Sequence, residues 1–137
     1  LAAVLPKGAK PILVTDAGFR GPWFRAVEAM GWHWLGRLRN RTQLKPSTAL
    51  DEAGEWVPCK AMYEQYMGKT RDFGLMNITR STPFQARVVL HGKPPRGRKD
   101  RNRRGEPARN SNSRKSAQRE REPWILLASP GLALSTR

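Results

Sequence analysis

Residues 93–121 set the strongest limit on what this chain can fold into. They carry twelve basic side chains against three acids, and Ala108 and Ala117 are the only apolar side chains that could anchor them. Such a segment buries too little surface to offset the entropy lost on ordering, so it is expected to be a mobile loop. A core must therefore come from the residues on either side. The full chain of 137 residues suffices for one domain with a modest core, and 38% hydrophobic residues is on the low side for a compact globule.

Upstream of the basic segment, the clearest elements lie close together. Residues 12–15, Ile-Leu-Val-Thr, are an apolar β-branched run that predicts a buried strand ending at Asp16. Glycines at 18 and 21 mark a turn, and Pro22 suits the first turn of a helix, where a missing N–H costs nothing. Trp23, Phe24, Val27 and Met30 recur at helical spacing, with Gly31 placed to end the helix. Residues 32–39 alternate in part between apolar and polar side chains and predict a second strand. Strand, helix and strand form a β-α-β unit, which calls for parallel strands.

The middle is less patterned. Residues 41–58 are polar and predict a loop, and residues 59–67 a short helix. Residues 72–80 and 84–91 predict two strands joined through Thr82-Pro83, an antiparallel hairpin. Beyond the basic segment, residues 123–128 predict one more buried strand. There is no internal repeat.

Charge narrows the partners. Lys and Arg number 26 against 11 acids, a net charge of +15, which favours a polyanion. No apolar run approaches the roughly 20 residues that span a bilayer, so a membrane is not expected. The single Cys59 excludes an internal disulfide, and with His33 and His91 far apart no zinc spacing exists. No Gly-rich phosphate loop or Ser/His/Asp set occurs, and no small-molecule substrate is expected. Lys93, Arg96, Arg98, Lys99, Arg101, Arg103, Arg104, Arg114 and Lys115 are the candidate DNA-binding residues, weighed against a solvated linker. Trp23, Trp32 and Trp34 are expected in the core. Trp124, directly after the basic segment, is a candidate for base stacking.

Asp16 is the one acid placed for chemistry. A carboxylate at the C-terminal end of a strand faces the crevice in which α/β sheets place their sites. From spacing alone the plainer reading is stronger: an Asp just before Ala-Gly forms a turn by bonding its own backbone.

Residues 12–39 contain Thr15-Asp16-Ala17-Gly18-Phe19, then Pro22-Trp23-Phe24, then Gly31-Trp32-x-Trp34-x-x-Arg37. Together these words resemble the second-aspartate region of bacterial DDE transposases, most closely insertion-sequence family four, the cut-and-paste elements. The basic segment followed by Glu122-Pro123-Trp124-Ile125-Leu126-Leu127-Ala128 is similar to the family's return from a β-rich insertion. The resemblance implies an α/β fold: a partial ribonuclease H-like core in residues 1–40, a β-rich insertion with a disordered basic loop (92–122) in residues 41–122, and a return strand and tail in residues 123–137. It implies that Asp16 is a catalytic metal ligand, one of three acids that hold two Mg²⁺ ions for in-line phosphodiester displacement. It implies transposon-end DNA as the partner and a cytoplasmic, nucleoid-associated location.

The family's first aspartate, and its Tyr-x-x-Arg-x-x-x-Glu helix bearing the third acid, have no counterpart in these residues. The chain is thus expected to be an internal fragment of the catalytic domain, holding Mg²⁺ poorly. The alternative is a small basic RNA- or DNA-binding protein without catalysis. One acid cannot fix two metals, so the purified chain should not cleave DNA alone. Mg²⁺-dependent nicking of transposon-end DNA by the 137-residue chain would contradict this.

Overall fold

The computed structural model describes residues 2–39, 42–47, 54–92 and 101–133. Its first unit is the expected β-α-β. Strand β1 (Ile12–Val14) pairs in parallel with β2 (His33–Leu38), with Leu13 opposite Trp34. Between them runs helix α1 (Gly21–Ala29), with Pro22 in its first turn. Phe24 and Val27, three residues apart, put one buried stripe on it. The helix stops where Gly31 takes φ of +72° and its N–H reaches the Glu28 carbonyl at 2.9 Å.

Trp34 is fully buried and ties the helix to the sheet. Its indole stacks on the Phe24 ring with centroids 4.0 Å apart, and its Nε1–H donates to Glu28 Oε1 at 2.9 Å. The apolar face is thus covered while the indole donor stays satisfied. Gly36, two residues on, leaves room for the same phenyl ring. A Cβ at that position would lie 3.1 Å from Phe24 Cζ.

The rest of the sheet is antiparallel. The predicted hairpin forms from β5 (Arg71–Ile78) and β6 (Phe84–His91), the numbers following chain order. Strand β7 (Trp124–Ala128) lies between β2 and β6 and pairs with both. Strand β3 (Gln43–Pro46) pairs with β5, and the short β4 (Val57–Pro58) closes the far edge on β3. The seven strands run in the order β1-β2-β7-β6-β5-β3-β4. One continuous sheet therefore passes through the three segments that the resemblance separates.

Alternation along these strands gathers one core. Trp34, Leu38, Ile125, Leu127, Val88, Leu90, Met76, Ile78 and Leu44 join Phe24 and Val27 of α1. Cys59 and Met62 complete it from a 3-10 helix over Cys59–Gln65, the short helix expected there. On β5 an extra residue bulges between Asp72 and Leu75, with Gly74 at φ of +71°. Asp72 takes the Gly74 N–H at 2.8 Å and pairs across the hairpin with the Arg87 guanidinium, whose Nε donates at 2.8 Å. That pairing holds the Asp72 carboxyl below its ordinary range, against the opposing effect of burial.

Three expectations are corrected. The first strand is not buried: β1 is an edge strand, with Val14 73% and Ile12 50% exposed. Helix α1 covers only the face to which Leu13 points, so its two neighbours meet solvent. Residues 41–58 are not all loop. Strand β3 forms there because Leu44 reaches the core opposite Ile78. The basic segment is not uniformly disordered either. Helix α2 (Ser111–Arg121) occupies its end, capped by Asn110, whose side chain accepts the Asn112 N–H at 2.9 Å. Arg114, Lys115, Ala117, Gln118 and Arg119 are good helix formers, Arg119 and Arg121 complement the negative end of the helix dipole in the last turn, and Ala117 is buried. Residues 93–100 lie outside the described residues.

The Phe24–Trp34 stack yields a direct test. Phe24→Ala should destabilise the fold by about 3–5 kcal/mol in equilibrium denaturation, in the range of buried aromatic truncations. A loss under about 1 kcal/mol would show that α1 is held by other contacts.

Candidate functional site

Thr15 continues the β1–β2 pairing through its N–H to the Leu35 carbonyl at 2.8 Å, and Asp16 then leaves the sheet. Asp16 is exposed, and its Oδ1 accepts the Gly18 N–H at 2.9 Å. This is the turn geometry that spacing suggested, placed at the C-terminal end of a strand. Asp16 does not cap α1, which begins after Arg20 without any side-chain cap bond.

Next to this turn a crevice of about 1030 Å³ opens where β1 and β2 end. One wall is the β1–α1 loop from Ala17 to Pro22. The others are the end of β2 from Arg37 to Arg39, the start of β3, and the turn of the β5–β6 hairpin. Arg20, Arg37, Arg39 and Arg80 all line it, and among the described residues no acid does. The low-dielectric walls, including Leu38, Ile78 and Phe84, concentrate that positive field. Phe19 also lines it, 45% exposed and tilted against Trp23 with centroids 4.7 Å apart.

Charge inside the crevice is poorly compensated. Burial lowers the pKa of Arg37, and the like charge of Arg39 lowers it further; Tyr63 and Glu122 act weakly in the other direction. The Arg37 guanidinium lies 4.2 Å over the ring of Trp124. Among the described residues, three buried side-chain polar atoms lack a hydrogen-bond partner: Arg37 Nε, Gln43 Oε1 and Thr15 Oγ1. Arg37 and Gln43 line the crevice, and Thr15 immediately precedes Asp16. Buried polar atoms without partners are uncommon in folded proteins and call for an explanation.

Backbone strain lies here as well. Thr79, also in the lining, has φ of +66°, and it is the one non-glycine residue with positive φ among the described residues. A β-branched side chain is disfavoured in that region. Its N–H donates to the Gln43 carbonyl at 2.9 Å, which fixes the hairpin turn against β3 and places Arg80 beside the crevice.

A second, smaller cleft of about 310 Å³ lies in the basic segment. Asn102 Oδ1 accepts the N–H groups of Arg104 at 2.9 Å and Glu106 at 3.0 Å, and Arg101 Nη1 donates to the Gly105 carbonyl at 2.9 Å. The resulting turn sets Arg101 against α2, where Arg114, Gln118 and Arg121 share one face and line the cleft with it. The structure thus brings together Arg101 and Arg114 of the predicted set. Arg103, Arg104 and Lys115 are exposed but outside this cleft, and Lys93, Arg96, Arg98 and Lys99 lie outside the described residues.

Sequence reading missed Arg20, Arg37, Arg39 and Arg80 as a group. They are scattered over sixty residues, and only the sheet order draws them together. The tryptophans divide as expected in part: Trp34 is core, and Trp23 and Trp32 pack against it. One face of Trp124 carries Arg37, which leaves that face unavailable to a base. His33 Nδ1 meets Ser129 Oγ at 3.0 Å. Burial pushes the Cys59 thiol up to about 11, so it stays an unreactive core group.

A model of the transposase DDE domain matches residues 1–125. The chain belongs to that family. No curated protein and no solved structure matches it. The transposase DDE domain carries a transposase-type function on nucleic acid, and the family generally uses divalent metal ions. The residues described do not fit such a metal by themselves: no group of three or more His, Cys, Asp or Glu occurs among them, and one oxygen of Asp16 is engaged by Gly18. No helix of the described residues is long and apolar enough to cross a membrane.

The strain at Thr79 is measurable. Thr79→Gly keeps the backbone bond to Gln43 and removes the side chain from a region it disfavours. It should stabilise the protein by roughly 0.5–1 kcal/mol. A destabilisation in the same denaturation measurement would show that the threonine side chain contributes more than the strain costs.

Proposed function

We propose that this chain is part of a cut-and-paste DNA transposase of insertion-sequence family four and that it binds transposon-end DNA. The observation that carries the reading is the ordering of the basic segment: a turn and α2 converge Arg101, Arg114 and Arg121 on one cleft, within a transposase DDE domain. Guanidinium groups so placed match phosphate oxygens in geometry as well as charge. Arg103, Arg104 and Lys115 extend the same basic surface, and Lys93, Arg96, Arg98 and Lys99 precede it in sequence. Residues 1–40 and 123–137 are read as parts of a ribonuclease H-like core, and residues 41–122 as its β-rich insertion.

In this reading Asp16 supplies one of three carboxylates that hold two Mg²⁺ ions in the intact enzyme. Its exposed place in the turn just past the C-terminal end of β1 suits that role. The basic cleft gives this chain the part of binding and positioning DNA within that activity. The alternative of a basic binding protein without catalysis loses ground to the family match, which covers most of the chain.

DNA affinity should fall steeply with salt. With about six to ten phosphate contacts, raising salt from 50 to 200 mM should weaken binding by roughly 10³–10⁵-fold. Replacing Arg101, Arg103, Arg104, Arg114 and Lys115 with Gln should lower the log–log salt slope by about four units, equally for all DNA sequences. Absence of DNA binding at low salt, or a slope unchanged in the variant, would refute the interface.

A further inference from the structure

The arginine-lined crevice at the ends of β1 and β2 is separate from the cleft in the basic segment, and its lining is different in kind. Here three exposed arginines, Arg20, Arg39 and Arg80, line the same crevice as an exposed aromatic residue, Phe19. We propose that this crevice is a subsite for unpaired DNA, with the sugar-phosphate backbone on Arg20, Arg39 and Arg80 and a base stacked on Phe19. The proposal rests on the reading of the chain as DNA-binding, and adds where an unpaired strand would lie.

Four observations support it. The volume of about 1030 Å³ is several times that of a single phosphate group, so the occupant is a stretch of strand. Among the described residues no carboxylate lines the crevice, and the like charges of Arg37 and Arg39, both in the lining, repel each other. Arg37 and Gln43 also line the crevice, adding a guanidinium and an amide to its polar surface. A positively charged groove combined with an aromatic platform is the common plan for holding single strands. Phe19 is held for that use: its tilted contact with Trp23 fixes the ring while nearly half of its surface stays open.

The strained turn at Thr79 fits the same use. The residues after it carry Arg80 to the rim, and the bond from Thr79 to Gln43 ties this wall to the start of β3. Strain kept at a concave cationic site is a feature of ligand clamps. Asp16 lies one residue from the lining at Ala17, so a strand in the crevice would run past its carboxylate.

The test measures binding of the full chain to a labelled twelve-nucleotide oligothymidine, to its abasic counterpart and to a duplex, by fluorescence anisotropy across a salt series. Phe19→Leu keeps an apolar side chain against Trp23, and thermal melting checks that the fold survives. Phe19→Leu should weaken oligothymidine binding about tenfold, leave the abasic strand unaffected, and be rescued by Phe19→Tyr. Replacing Arg20, Arg39 and Arg80 with Gln should lower the salt slope for single strands by about two units. An equal loss on the abasic strand, or no change in either variant, would overturn the subsite. Duplex binding without single-strand binding would overturn it too, while leaving the DNA-binding reading intact. Failure of the wild-type chain to bind any DNA would defeat both.

Discussion

The stack of Phe24 on Trp34 is the contact on which the rest of the arrangement depends. It fixes α1 over β2, and Gly36 keeps the space that lets the two approach. Because α1 starts only five residues after Asp16, its placement also sets the course of the loop that carries Asp16, Phe19 and Arg20. The bond from Trp34 Nε1 to Glu28 satisfies the one polar group that so large a buried ring brings with it. Weakening this contact would loosen the core and the crevice together.

The second constraint is charge. A chain with a net charge of +15 cannot pair most of its cations internally, and two clefts among the described residues are lined by several of them. The two form by different means. In the first, sheet order brings together four arginines from three separate segments around walls that are partly apolar. In the second, local structure does the work: a turn built on Asn102 and a helix capped by Asn110 align basic residues that are near one another in sequence. The first cleft is strained at Thr79 and edged by an aromatic ring. In the second, Ala117 is the buried residue of α2. Membership of the transposase DDE domain family gives both a common context.

Position within the sheet explains where periodicity misled. Ile12 and Val14 have the composition of a buried strand, yet β1 lies at the edge with only one face covered. Leu44 is a single apolar residue in a polar stretch, and it forms a strand because Ile78 and the core wait opposite it. In 93–121 the reverse error occurred. Low apolar content suggested disorder throughout, but the Asn110 cap and a run of helix formers were legible as a helix start and body, and one buried alanine suffices to seat it.

The sequence by itself determined the local elements with strong periodicity or punctuation: the β-α-β unit, the hairpin, the return strand and the turn at Asp16. It also determined the excess of positive charge, and its motif words pointed to the family that the domain match establishes. These depend on neighbours a few residues apart, or on composition alone. Only the tertiary structure decided that β7 inserts between β2 and β6, that β1 is left at an edge, and that Arg20, Arg37, Arg39 and Arg80 share one crevice with Phe19. Those outcomes come from long-range strand pairing, which is set by how whole apolar faces fit together and leaves no mark in any short stretch of sequence.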